Sequence, residues 1–215
     1  MDRFRRNWLR FLAHFLSLLP VVKLAWDFSQ NQLTANPIQE ITLRTGMYSL
    51  ILLVLSLACT PAANLFKIKV ILNLRRPLGL YGFFYACWHL MNFIGLDYRF
   101  DFTLLWADVS AKAYIWVGLV ALLLLVPVAM TSTRGWMRRL GKNWERLHWL
   151  VYPAALLSVL HFLLLVKADV RVPVLYGIIV VTLLVVRLKW LKNLIVRFRG
   201  RPNRTEGGLK GAKPL

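Results

Sequence analysis

Three of the four histidines in this chain lie in or beside apolar segments long enough to cross a lipid bilayer. His89 lies within residues 78–96, and His148 and His161 flank residues 147–166. An imidazole is costly to bury in hydrocarbon and usually has a functional role there. Two histidines that face each other from different membrane helices are the usual ligands of a haem bound without covalent attachment. The histidines therefore predict a membrane protein that binds haem and transfers electrons.

The composition favours a membrane protein over a soluble one. Hydrophobic residues make up 58% of the chain, whereas a soluble domain has about 45–50%. The formal net charge is +19, from 28 Lys and Arg against 9 Asp and Glu. In a soluble chain this excess would suggest nucleic-acid binding. Here the basic residues lie between and after the apolar segments, which indicates membrane orientation and contact with lipid headgroups rather than a nucleic-acid partner.

The apolar segments predict the fold. A membrane helix needs about 20 mostly apolar residues, and the chain has six such segments, the second shortened by Pro61. They are approximately residues 8–28, 46–65, 78–96, 114–133, 148–167 and 172–190. We predict an all-α integral membrane bundle of six helices over residues 1–190. Residues 191–215 are basic and rich in Gly, and we expect them to form a disordered cytoplasmic tail.

The charges alternate between successive connections. The strongly basic stretches are residues 1–10, 67–76, 134–146 and 187–213, and the connections between them carry a mixture of acidic and basic residues. Because loops rich in Lys and Arg stay on the cytoplasmic side, we predict that both termini are cytoplasmic.

Helix geometry predicts the depth of each histidine. His89 lies 14 residues after Arg75, a rise of about 21 Å. His161 lies 13 residues after His148, a rise of about 20 Å. His89 and His161 should therefore meet in the outer half of the bilayer, with Arg75 and His148 level near its inner surface. On a straight helix His148 and His161 would point about 140° apart, so either Pro153 changes the phase of the helix or His148 points elsewhere.

These positions predict the cofactor-binding residues. His89 and His161 are the expected axial ligands of one haem, for which we expect the b type. The chain has no Cys-x-x-Cys-His attachment motif, which excludes a covalently bound c-type haem. His148 is a candidate ligand of a second haem, whose other ligand would be Arg75 or water. Arg75 and Arg76 are also candidates for pairing with haem propionates.

Two blocks of sequence resemble the MsrQ (YedZ) family. The first is Arg75-Arg76-Pro77-Leu78-Gly79-Leu80, followed by Tyr85 and His89. The second is Thr131-Ser132, then Trp136, Arg138-Arg139-Leu140-Gly141, Trp144, Leu147-His148, Tyr152 and His161. The family is related to the transmembrane domain of ferric reductases and NADPH oxidases, whose members carry two histidines on each of two helices. This chain has Arg75 where the first of those histidines would stand, so the resemblance implies the His89–His161 haem and leaves the inner haem without one histidine.

The resemblance also implies the wider function. MsrQ proteins are haem-binding subunits of a methionine sulfoxide reductase system in the bacterial inner membrane. Electrons would come from the quinone pool or from a cytosolic flavin reductase, with FMN as an additional cofactor. They would pass to a periplasmic molybdopterin subunit that repairs oxidised envelope proteins. The chain would be a redox subunit without a substrate-reducing domain of its own, because it lacks the flavin and nicotinamide domain of the oxidases.

Two other functions fit the same histidines. The first is a stand-alone transmembrane cytochrome b that reduces ferric iron or another metal. The second is a proton-coupled transporter in which histidines relay protons. The transporter is disfavoured because Lys23 is the one other ionisable residue clearly inside an apolar segment and no acidic residue lies at mid-depth.

The predicted topology can be tested with alkaline phosphatase fusions, because this enzyme becomes active only after export. We expect a fusion after Lys112 to be active and a fusion after Lys142 to be inactive, since residues 134–146 form a basic loop. The reverse pattern of activity would invert the topology.

Overall fold

The computed structural model describes residues 2–199, with side chains for residues 7–187. Within residues 2–199 the chain forms nine α-helices and no β-strand. The helices are α1 (Asp2–Ser29), α2 (Pro37–Leu65), α3 (Arg75–Asn92), α4 (Phe102–Ala111), α5 (Ala113–Met130), α6 (Arg134–Leu140), α7 (Lys142–His148), α8 (Val151–Leu165) and α9 (Arg171–Arg199). A 3₁₀ helix, Lys69–Asn73, precedes α3, and a π-helical turn, Phe93–Asp97, follows it.

The all-α fold is confirmed over the described residues, and a helix occupies each of the six predicted places. By length and composition, four helical stretches could cross a membrane, namely Asn7–Ser29, Pro37–Leu65, Ala113–Met130 and Lys142–Leu165. The described parts of α3 and α9 are not among them, so the count of six spans stays a prediction. Helix α9 continues to Arg199, past the predicted end at residue 190, and the rest of the predicted tail lies outside the described residues.

Helix α2 begins well before the apolar segment predicted at residue 46. Its first turn is capped by Asn36, whose side chain accepts a hydrogen bond from the backbone N–H of Gln39 (3.2 Å), and Pro37 stands at the first helical position. The charged residues before residue 46 suggest a loop in the sequence, but in the structure their charges are paired, because Arg44 forms ion pairs with Asp27 and Glu40. The helix therefore continues through a polar stretch.

Two pairs of helices build the core. Helix α2 packs along α3, and α5 packs along α8. The buried core lies where these pairs meet α9, and it includes Leu53, Leu125, Ala154 and Val180. Helix α1 is attached to α3 by the fully buried Tyr85, whose hydroxyl donates to the carbonyl oxygen of Ser17 (2.8 Å).

Two breaks interrupt the chain between α6 and α8. Gly141 separates α6 from α7 with φ +49° and ψ −122°, a backbone conformation that favours glycine. Trp149 and Leu150 separate α7 from α8, so His148 and His161 lie on different helices. Pro153 lies in the first turn of α8, where a proline costs no hydrogen bond. The break therefore comes before Pro153, and it removes the phase conflict between His148 and His161.

We predict that Tyr85→Phe destabilises the protein by roughly 0.5–1.5 kcal/mol, the usual contribution of one buried hydrogen bond. Thermal unfolding in detergent measures the loss. Tyr81→Phe is the control, because the Tyr81 hydroxyl pairs with His14 at an exposed position (3.1 Å) and should contribute less. Equal losses in the two variants would contradict the assignment.

Candidate functional site

His89 on α3 and His161 on α8 face each other. Their ring centroids lie 6.1 Å apart, and the ring planes are nearly perpendicular, at 81°. The two rings meet at the end of the bundle that contains the first turns of α2 and α5, since each is bonded to one of those helices. The structure thus brings together the two histidines that the depth argument pairs.

Each ring is held by one hydrogen bond to a backbone carbonyl of the neighbouring helix. His89 Nδ1 lies 2.8 Å from the carbonyl oxygen of Thr42, and His161 Nδ1 lies 2.7 Å from that of Tyr114. A carbonyl oxygen can only accept, so Nδ1 must carry the proton on both rings. The lone pair of each neutral imidazole is therefore on Nε2, which is the arrangement of a metal ligand.

The separation of the rings fits an iron atom between them. Two imidazole–metal bonds of about 2.0 Å and two ring radii of about 1.1 Å span about 6 Å, which matches the 6.1 Å between the centroids. Within the described residues, no group of three or more His, Cys, Asp or Glu side chains could hold a metal ion. Two protein ligands suit a cofactor that supplies the remaining metal ligands itself, and a porphyrin does so.

A small buried polar cluster supports the His89 ring. The carbonyl oxygen of Thr42 also accepts a hydrogen bond from Thr45 Oγ1 (3.0 Å), and Thr45 Oγ1 accepts one from Asn92 Nδ2 (3.3 Å). Thr45 and Asn92 are buried. The π-helical turn Phe93–Asp97 follows directly, and such turns are frequent at functional sites. The orientation of His89 is therefore fixed by α2 and by its own helix.

His148 lies at the opposite end of the bundle, beside a cavity of about 250 Å³. His148 Nδ1 lies 3.0 Å from the carbonyl oxygen of Trp144, and Nε2 lies 3.4 Å from Ser132 Oγ. The Trp144 ring lies against the imidazole, with 3.9 Å between centroids, and its Nε1 donates to the carbonyl oxygen of Thr131 (3.0 Å). Trp144 therefore packs into the site instead of anchoring the surface.

The cavity is lined mostly by apolar residues, and the charged side chains among them are basic. Arg75 and Arg76 line it together with His148, and none of the described lining residues is acidic. Arg187 on α9 stacks over the Tyr152 ring, with its guanidinium carbon 5.1 Å from the ring centroid. Its Nη1 is buried without a hydrogen-bond partner among the described residues, and Arg75 is close enough to repel it. This end of the bundle therefore has the charge to bind an anionic group.

Two carboxylates in the connection between α3 and α5 form hydrogen bonds within that connection. Asp101 caps α4 by accepting from the backbone N–H of Thr103 (3.0 Å) and Leu104 (3.1 Å). Asp108 accepts hydrogen bonds from Lys112 and Tyr98. These contacts, that of Lys112 first, lower the pKa of the Asp108 carboxyl. The charge of this connection is therefore mostly compensated within the chain.

Sequence reasoning missed the groups that orient the histidines. The partners of the histidines are the backbone carbonyls of Thr42 and Tyr114, which no residue type identifies in a sequence. Two glycines, Gly46 and Gly118, lie against the rings, and their common spacing to the histidines, 43 residues in each case, was the available indication. In the sequence Arg187 is the first residue of the basic stretch 187–213. An arginine at the end of an apolar helix is, however, itself an indication of function.

A pair of facing histidines between helices of an apolar bundle is the arrangement that a membrane redox component with two histidine ligands would need. In agreement, residues 45–159 match the family model of the ferric reductase like transmembrane component, and this match covers more than half of the chain. The fold and the site thus define the class as a ferric reductase-like transmembrane protein.

Close relatives narrow this class. The chain is 50% identical over 185 residues to the protein-methionine-sulfoxide reductase heme-binding subunit MsrQ of Rhodospirillum rubrum, covering 85% of this chain and 89% of the relative. It is 48% identical over 179 residues to the MsrQ of Xanthomonas axonopodis pv. citri, covering 80% and 82%. The chain belongs to the MsrQ family, and is therefore a membrane redox subunit.

Proposed function

We propose that this chain is a haem b-containing subunit that passes electrons across the bacterial inner membrane to a periplasmic methionine sulfoxide reductase subunit. The observation that carries the proposal is the pair of imidazoles whose Nδ1 atoms are both bonded to carbonyls, with 6.1 Å between the ring centroids. A relative that is 50% identical is named as a heme-binding subunit, which supports the same cofactor here.

Haem bound at this pair supplies one-electron transfer. His89 and His161 would hold the iron through Nε2. Their Nδ1–H bonds to Thr42 and Tyr114 fix the tautomer and increase the basicity of the ligating nitrogen. Both histidines are partly buried between helices, which would limit the access of water to a bound iron.

The inner cavity is the proposed place of electron entry. The cations Arg75 and Arg76, together with the stacked pair Trp144 and His148, suit a planar ligand with an anionic group. An FMN phosphate, a quinone headgroup or the propionates of a second haem would each meet these residues. For a second haem, His148 would be one axial ligand and Arg75 or water the other. The donor would be the quinone pool or a cytosolic flavin reductase.

The proposed topology has six spans with both termini in the cytoplasm. The alternation of basic connections supports it. In this orientation His89 and His161 lie toward the periplasm, and the cavity that Arg75 and His148 line lies toward the cytoplasm. Electrons would therefore leave the protein on the periplasmic side. The partner there would be a molybdopterin protein that reduces methionine sulfoxide in oxidised envelope proteins.

A second function is a stand-alone metal reductase. The match to the ferric reductase-like family model favours it, because the same haem pair could reduce a ferric complex without a protein partner. The names of the relatives, which place them in a methionine sulfoxide reductase, favour the first function.

We predict that the purified protein shows a reducible b-type haem spectrum, and that His89→Ala and His161→Ala each abolish its main component. His148→Ala should leave much of it, because His148 lies at the other end of the bundle and lines the inner cavity. Haem per chain, measured by the pyridine haemochrome assay, gives the number of haems. Full haem retention in either of the first two variants would refute the pairing.

We also predict that reduced haem in membrane vesicles is reoxidised when a periplasmic methionine sulfoxide reductase subunit and methionine sulfoxide are added together. The control omits the reductase subunit, and methionine sulfoxide alone should cause no such reoxidation. Reoxidation of the haem by a ferric chelate, without any reoxidation through the reductase subunit, would favour the stand-alone metal reductase.

A further inference from the structure

Two glycines lie flat against the paired imidazoles. A Cβ added at Gly46 would lie 3.0 Å from His89 Nδ1 and 3.1 Å from Cε1. A Cβ added at Gly118 would lie 2.6 Å from His161 Nδ1 and 2.8 Å from Cε1. The two distances at Gly46 are at the lower limit of Cβ contacts found in proteins, and the two distances at Gly118 are below that limit. The His161 ring therefore occupies space that a Cβ at position 118 would fill, and the His89 ring leaves a Cβ at position 46 only a tight fit.

The two arrangements have the same spacing along the chain. Both histidines bond to a carbonyl that lies 47 residues earlier, and each glycine lies four residues after that carbonyl. Residues four apart are neighbours on one helix face. In an α-helix the carbonyl oxygen of one residue lies beside the residue four positions later. Each imidazole Nδ1 therefore contacts the carbonyl and the glycine at one place on the adjacent helix.

This contact is specific to the two glycines. Of the glycines that the structure describes, Gly46 and Gly118 are the ones whose added Cβ would meet an imidazole. An added Cβ at Gly177 on α9 would meet Val159 at 3.4 Å, an ordinary contact. At Gly82 it would meet backbone atoms of α2, with Leu53 N at 3.2 Å. Gly82 thus serves helix packing, whereas Gly46 and Gly118 accommodate the rings.

We infer that Gly46 and Gly118 are positioning residues that set the orientation of the two iron-ligating imidazoles, a role that rests on the proposed haem function. The ring must lie close to the helix for Nδ1–H to reach the carbonyl. A methyl group at the glycine displaces the ring, lengthens the Nδ1–H bond and turns Nε2 away from the iron axis. Loss of such a supporting bond typically weakens metal binding by about 10–100-fold.

The two positions should differ in sensitivity. At Gly46 a movement of a few tenths of an ångström accommodates the methyl group, whereas at Gly118 the overlap with Nδ1 and Cε1 is too large for that. His161 can escape only by rotating away from the carbonyl of Tyr114. Gly118→Ala should therefore perturb the site more than Gly46→Ala.

The test compares Gly118→Ala and Gly46→Ala with Gly177→Ala, each purified as the full chain in detergent. Haem per chain, midpoint potential and the low-spin EPR spectrum are measured, because the last two depend on axial-ligand orientation and hydrogen bonding. We expect Gly118→Ala to lose haem affinity by roughly tenfold or more. Gly46→Ala should keep haem with a shifted potential and EPR spectrum, and Gly177→Ala should match the unsubstituted protein.

The outcomes separate this inference from the proposed function. A protein without haem, before any substitution, refutes the proposed function. Haem in the unsubstituted protein, with unchanged potential and EPR spectrum in both glycine variants, refutes only the inference. Should Gly118→Ala fail to accumulate in the membrane, Gly46→Ala decides on the same measurements, since its methyl group requires only a small adjustment.

Discussion

The hydrogen bond from each imidazole Nδ1 to a backbone carbonyl of the neighbouring helix is the constraint on which the site depends. The bond joins α3 to α2 at His89 and α8 to α5 at His161, the two helix pairs with the most extensive packing. A carbonyl oxygen has two lone pairs, so it can accept from a helical N–H and from an imidazole together. The orientation of both imidazoles is thus part of the helix packing, and at His89 the buried side chains of Thr45 and Asn92 add to it.

Charge is treated differently at the two ends of the bundle. Near His89 the guanidinium of Arg44 is neutralised by Asp27 and Glu40. No described residue that lines the cavity of Arg75 and His148 is acidic, and Arg187 has a buried Nη1 without a hydrogen-bond partner among the described residues. A buried cation is costly unless it is paired. The charge of Arg44 is therefore compensated by neighbouring carboxylates, whereas Arg75 and Arg76 have no such carboxylate among the described residues of the cavity.

The sequence predicted the elements that depend on local pattern and missed those that depend on contacts between helices. Apolar length located the helices, and the rise per residue paired His89 with His161. The apolar pattern did not indicate that α2 begins at Pro37, because the pairing of Arg44 with Asp27 comes from the fold. The sequence left open whether Pro153 changes the phase of the helix, and the structure has a break at Trp149–Leu150, before that proline. Every residue has a backbone carbonyl, so the sequence could not indicate that the carbonyl of Thr42 binds a histidine.

The distance between the two imidazoles is set by a different part of the molecule from their orientation. Each ring is fixed within its own helix pair, but the separation of the rings depends on how α2 and α3 pack against α5 and α8. Small buried residues at that junction, Ala154 and Ala155, allow close approach beside Leu53 and Leu125. A ligand that bridged the rings would therefore also bridge the two pairs, and it would stabilise the folded state by an amount that grows with the logarithm of its affinity. Cofactor binding and the association of the helix pairs would accordingly be thermodynamically coupled.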